Sequence, residues 1–181
     1  MHDILKKVVE FRLQDVAAKT IPVTELQTRY KDRSDFRPFR EKLNRTSQTD
    51  FTPAIIAEIK RGSPAKGLFA PNLDPVSTAQ EYESGGAACL SVLAEPKFFY
   101  GSLNDLTNAR KHCSLPVLQK DFIVTDYQIY EAALYADAVL LIARCLERSQ
   151  INELHHLATE LGLDVLVLTC RKYYYTQFHG V

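Results

Sequence analysis

Apolar positions follow two alternating rhythms along this chain. Ile4, Leu5, Val8, Val9, Leu13 and Val16 recur at helical spacing and predict an amphipathic helix over about 3–19, which Pro22 ends. Residues 35–43 read as a second short helix, and the polar run 45–52 as a connector. From residue 53 short apolar runs alternate with helical patterns. The runs at 54–59, 89–93, 116–120, 138–142 and 164–168 read as five strands. Between the first two, Asp74 offers an N-cap, Pro75 a first helical position and Gly85-Gly86 a stop. Ser102 caps a helix to about Lys111, and another spans about 126–135. Ile151, Leu154, Leu157, Ala158 and Leu161 line one face of a last helix that ends at Gly162.

After the first, longer interval the strands start roughly 22 to 27 residues apart. Apolar strands alternating with helices of this size build βαβ units around a parallel sheet. An open doubly wound sheet and a (β/α)₈ barrel are the two general outcomes. No GxGxxG follows the first strand, which disfavours the dinucleotide-binding version of the open sheet. The chain divides into an N-terminal helical extension (1–52), a βα region (53–168) and a tail (169–181).

Composition narrows the function classes. With 22 Lys+Arg against 22 Asp+Glu the formal charge is zero, which argues against a binder of nucleic acid or of a membrane surface. The 46% hydrophobic and 24% charged content over 181 residues is that of a soluble globular domain. The longest apolar run, 138–143, is far shorter than the roughly 20 residues a membrane helix needs. The start lacks a secretory pattern, because Lys6, Lys7 and Glu10 break its apolar character. A cytoplasmic location is expected. Cys89, Cys113, Cys145 and Cys170 form no CxxC pair and read as small thiols in a reducing compartment. The run 152–156 (NELHH) is not HExxH, and His2, His112 and His179 lack partners at ligand spacing, so no metal site is expected.

Two strand ends break the apolar rule for buried parallel strands. Glu58 and Lys60 lie two apart at the end of the first strand and share one of its faces. The third strand runs out through Lys120 and Asp121. Either pair could simply be a strand end entering solvent. In a barrel, however, alternate strands fill common layers, and Lys60 and Lys120 would then share the C-terminal mouth, where such enzymes keep their chemistry. A lysine there serves as a general acid or base or forms a Schiff base, and a neighbouring carboxylate keeps it protonated. The Gly-rich basic stretch 61–67 reads as a mobile or anion-contacting loop, or as plain surface. Phe98, Phe99 and Phe122 could hold a flat substrate above the mouth, or simply pack.

The run 55–67 (IIAEIKRGSPAKG) resembles the first strand and loop of indole-3-glycerol-phosphate synthases. So do 91–93 (SVL) with 98–102 (FFYGS), and 116–123 (PVLQKDFI). The runs 126–132 and 136–142 extend the likeness, which covers about residues 1–167. The resemblance implies an α/β fold of the TIM-type (β/α)₈ barrel family with an N-terminal helical extension. It implies a carboxy-lyase of tryptophan biosynthesis. Such an enzyme converts 1-(2-carboxyphenylamino)-1-deoxyribulose 5-phosphate to indole-3-glycerol phosphate with loss of CO₂ and water, and needs no metal or organic cofactor. Carried over by position, Lys120 is the general acid of ring closure. Lys60 holds the carboxylate and assists dehydration, and Glu58 orients it. Ser63, Phe99, Phe122, Leu140 and Ile142 match substrate-contacting positions.

The likeness fails in the fifth strand. Leu168 stands where the family carries a catalytic glutamate, and the tail from residue 171 resembles nothing in the family. A complete barrel needs about 250 residues. The expectation is therefore an incomplete barrel of about five βα units from a truncated reading frame. Such a chain is inactive alone, and either complemented by a C-terminal fragment or self-associated through open sheet edges. A Schiff-base aldolase on the same lysines is a weaker alternative.

Overall fold

The computed structural model describes residues 2–31, 33–49 and 53–169. Three helices come first: α1 (His2–Ala17), α2 (Val23–Lys31) and α3 (Phe39–Thr49). A five-stranded parallel sheet follows, made of β1 (Ile56–Ile59), β4 (Cys89–Leu93), β5 (Val117–Lys120), β6 (Ala138–Ile142) and β7 (Asp164–Leu168), paired in that order. Between the strands run α4 (Pro75–Ser84), α5 (Leu103–Lys111), α6 (Asp126–Tyr135) and α7 (Arg148–Glu160). Two two-residue strands, β2 (Gly62–Ser63) and β3 (Gly67–Leu68), form a small antiparallel hairpin after β1. The sheet order is the one the βα alternation predicts.

Local chemistry sets the helix starts. Asp74 accepts the N–H groups of Val76 and Ser77 at 3.2 and 3.0 Å, with Pro75 in the first turn of α4. Ser102 accepts the N–H of Asp105 to open α5. Gln128 reaches back to accept the N–H groups of Val124 and Thr125 before α6. After α7 the chain turns through Gly162 at φ +77°, a left-handed conformation that glycine adopts without strain.

Successive side chains of each strand divide between two apolar layers. Leu90, Val92, Val117, Val139 and Leu141 face the helices and pack with Leu106, Ala109, Ile129, Ala132, Ile151 and Leu154. Cys89, Leu118, Ala138, Leu140 and Ile142 face the other side and pack with Val8 of α1, Phe39 of α3 and Phe122. On this inner side the N-terminal helices supply part of the cover. Burial falls off at the edge: every residue of β4 and β6 is buried, whereas Leu166 and Leu168 of β7 are exposed.

The N-terminal region departs from the sequence expectation. The pattern places a helix at 35–43 and a connector at 45–52. The chain instead forms α2 at Val23–Lys31 and starts the next helix at Phe39, carrying it through Thr49. Tertiary contacts decide this. Leu26 and Phe39 are buried, and residues 33–37 are held extended by polar bonds to the βα region. Residues 50–52 of the expected connector, and Cys170, His179 and all but Thr169 of the tail, lie outside the described residues.

Candidate active site

β1 delivers Glu58 and, one residue past its end, Lys60, both toward the inner face. β5 delivers Lys120, which sits in register with Leu93 of the strand between them. The Glu58 carboxylate accepts a hydrogen bond from the Lys60 ammonium on Oε1 and another from the Lys120 ammonium on Oε2. One carboxylate thus bridges two cations, and the cluster carries a net positive charge. Burial alone raises the Glu58 carboxyl, but the hydrogen bonds from Lys120 and Lys60 outweigh it, and the net shift is downward. From the outer layer the Tyr82 hydroxyl donates to the Glu58 carbonyl at 3.2 Å, which ties this stretch of backbone to α4.

Aromatic and aliphatic side chains stand beside the charges. The rings of Phe99 and Phe122 lie 5.8 Å apart at 35°, and both pack in the inner cluster with Leu140 and Ile142 of β6. Ser63 is turned to its own hairpin, where its hydroxyl accepts the N–H of Lys66 at 3.3 Å. The seven other residues singled out, Glu58, Lys60, Lys120, Phe99, Phe122, Leu140 and Ile142, thus gather on one face, while Ser63 sits on the hairpin above β1.

That hairpin occupies the stretch the sequence presents as a plain or mobile loop, and it is anchored. Arg61 grips Asp105 of α5 with two parallel bonds of 2.8 and 3.0 Å. The Tyr100 ring lies so close to Gly62 that a Cβ there would fall 2.3 Å from it, so only glycine fits.

Arg12 and Glu95 escaped the sequence reading, and Asp121 entered it only as the neighbour of Lys120. All three are buried at this end of the sheet. Asp121 adjoins Lys120 in a quoted motif, yet nothing local announces its partner. Among the described residues the three cysteines are unreactive: burial pushes the Cys89 thiol up to about 12 and raises those of Cys113 and Cys145. Among the described residues no cluster of three or more His, Cys, Asp or Glu side chains could hold a metal ion. No helix among them is long and apolar enough to cross a membrane.

Comparison with known proteins bears on this arrangement. The sequence is 49% identical over 170 residues to the indole-3-glycerol phosphate synthase of Desulfosudis oleivorans, covering 92% of this chain and 64% of that protein. It is 44% identical over 170 residues to the enzyme of that name from Neisseria meningitidis serogroup B, covering 92% and 65%. With the one from Laribacter hongkongensis it shares 42% over 172 residues, covering 93% and 65%. The chain thus spans a little under two thirds of the length of these curated relatives. The family described as indole-3-glycerol phosphate synthase matches over residues 5–173. A parallel βα sheet with its charged cluster at the strand ends, matched across nearly the whole sequence, makes this chain a member of the indole-3-glycerol phosphate synthase family.

Proposed function

We propose that this chain carries one half of a lyase site. That site converts 1-(2-carboxyphenylamino)-1-deoxyribulose 5-phosphate to indole-3-glycerol phosphate with release of CO₂ and water, in the cytoplasm and as a step of tryptophan biosynthesis. The observation that carries the reading is the Glu58 carboxylate shared by Lys60 and Lys120 beside the Phe99–Phe122 pair. Each lysine ammonium has three N–H donors. Among the described contacts each spends one on Glu58, which leaves donors for a substrate carboxylate and a sugar oxygen.

In this reading Lys120 donates a proton to the sugar carbonyl oxygen as the aryl ring carbon attacks the carbonyl carbon. Lys60 holds the aryl carboxylate that leaves as CO₂ and assists the loss of water that follows. Glu58 holds and aims both ammonium groups. Phe99, Phe122, Leu140 and Ile142 form the apolar wall for the aryl ring, and Ser63 approaches from the hairpin.

A second reading has a specific observation behind it. Leu168, half-exposed on the inner face and in register with Ile142, stands where the resemblance puts the family's catalytic glutamate. Loss of one general acid or base costs about 10²–10⁴-fold. By itself, then, the 181-residue polypeptide is an inactive half-site. Further βα units, or a second copy at the β7 edge, would complement it. A groove of about 400 Å³ lined by Ile151, Asn152, His155, Val167 and Thr169 flanks β7.

The test is to follow indole-3-glycerol phosphate by its fluorescence with the 181-residue chain, alone and mixed with a fragment carrying the remaining strands of a relative. The expected result is no measurable turnover alone and turnover in the mixture that Lys120→Met lowers by about 10²-fold or more. Robust turnover by the chain alone overturns the half-site reading. A mixture that binds but stays inert, or is indifferent to Lys120→Met, overturns the assignment of the lysines.

A further inference from the structure

Residues 11 and 12 of α1 reach two different loops at the mouth of the sheet. Phe11 meets Phe98 edge to face at 6.0 Å, and the Lys97 ammonium lies 4.8 Å from the Phe11 ring centre and 5.5 Å from that of Phe98. Arg12 turns the other way. One of its terminal nitrogens donates to Asp121 at 2.8 Å, and the other donates to Asp15 of its own helix. Arg12 and Asp121 are almost wholly buried, and the Arg12 Nε has no partner among the described residues.

Each loop is also organised from within by a buried carboxylate. Glu95 accepts the N–H groups of Lys97, Phe98 and Phe99 at 3.0, 2.7 and 2.9 Å. Asp121 accepts the N–H of Phe122 at 2.7 Å and a longer bond from Gln119. Burial raises the Asp121 carboxyl; Arg12 and the Phe122 N–H oppose that rise, and the charge of Glu95 adds to it. Two buried carboxylates therefore stand near each other, and Arg12 is the cation that pairs with one of them. The loops they shape carry the Phe99 and Phe122 rings.

We propose that Arg12 is a positioning residue of the candidate site. Its buried pairing with Asp121 fixes the Phe122 loop beside Lys120, as the Phe11 contact with Phe98 fixes the loop of Phe99, so that α1 sets the aromatic wall. The proposal deepens the half-site reading and rests on it for the role of the two rings. A simple staple of α1 to the sheet would hold the helix and leave the loops as they are. Without Arg12 the buried Asp121 carboxylate has no counter-charge. It must swing toward water or take up a proton, and either change alters the turn that presents Phe122.

Hydrogen exchange on the 181-residue chain, with fluorine NMR of para-fluorophenylalanine-labelled protein, tests this without substrate. A failure here is thus read separately from a failure of the turnover assay. Arg12→Met should speed amide exchange about tenfold in 122–124 and shift the Phe122 resonance, with the Phe99 ring packed on it shifting too. Amides of 133–137, at the opposite rim, should keep their rates. The double variant Arg12→Met, Asp121→Asn, which leaves no stranded charge but also no ion pair, should stay loosened in 122–124. Should Arg12→Met fail to fold, Asp121→Asn alone carries the test, since Arg12 then keeps Asp15 and only the Phe122 loop loosens. Faster exchange confined to α1, or full protection of 122–124 in the double variant, overturns the proposal.

Discussion

The two rims of the sheet use one electrostatic device for opposite ends. At the rim where strands begin, the Asp137 carboxylate lies between Arg33 and Arg110, with bonds of 2.8 to 3.2 Å. At the rim where strands end, Glu58 lies between Lys60 and Lys120. The lower cluster is saturated. Asp137 also accepts the N–H groups of Arg37 and Val117, and its side chain is 0% exposed. Arg33 caps the carbonyls of Ala133 and Ala136 near the end of α6, where a cation complements the helix dipole. Arg110 holds Asp35 as well. The upper cluster is open: Glu58 is 26% exposed, Lys60 32% and Lys120 36%. Guanidinium forks that never titrate make a staple. Ammonium groups with unspent donors, within reach of water, make a place for chemistry. This division follows the barrel rule that the strand-start face serves stability and the strand-end face serves function.

The sharpest way to break the comparison is Asp137→Ala. It removes the buried carboxylate that two arginines share, leaving them only the exposed Asp35 and backbone carbonyls, and should cost about 3–5 kcal/mol in urea unfolding. A loss no larger than that of a surface pair would dissolve the contrast between the rims. Acid probes both rims together. Burial raises the Asp35 carboxyl, but its bonds from Arg33 and Arg110 bring it down to about 2, and the Glu58 carboxyl is lowered too. Folded values below the ordinary ones mean that the stability they add is whole above about pH 4.5 and lost as pH falls through the folded values. The expected melting profile owes these groups no slope between about pH 5 and 8 and a decline below about pH 4. A steep slope near neutrality would contradict it.

Glu58→Gln should alter the unfolding free energy by less than about 1 kcal/mol, because its partners stay hydrated. The same change should cripple turnover in the complemented assay. A large stability loss with intact turnover would reverse the roles of the two rims. The smallest effect is expected at the edge strand. Leu168→Glu places a carboxylate on a side chain 54% exposed and should stay within about 0.5 kcal/mol of the parent. A large destabilisation would mean that the inner face at β7 is covered in solution.

Most of the βα region was legible because its signals are local. Asp74-Pro75, Ser102 and the glycines at 85–86 and 162 mark helix ends by what those residues do to their own backbone. The five apolar runs match β1, β4, β5, β6 and β7 within a residue or two. The N-terminal region was less legible. Residues 23–31 carry a weak, polar helical pattern, and α2 exists because it packs Leu26 against the rest of the molecule. Phe39 begins a helix since it must fill the inner face beside Cys89. Neither cause is visible in a window of ten residues.

In the site the same boundary holds. That Glu58 and Lys60 share a face follows from the two-residue period of a strand, so the sequence by itself determined it. That Lys120 reaches the same carboxylate across 62 residues, and that Arg12 finds Asp121 across 109, only the tertiary structure decided. A side chain's periodicity tells which way it points from its own backbone. Which charge it meets depends on how strands align and helices dock, and those are set by burial of the apolar layers, a property of the whole chain.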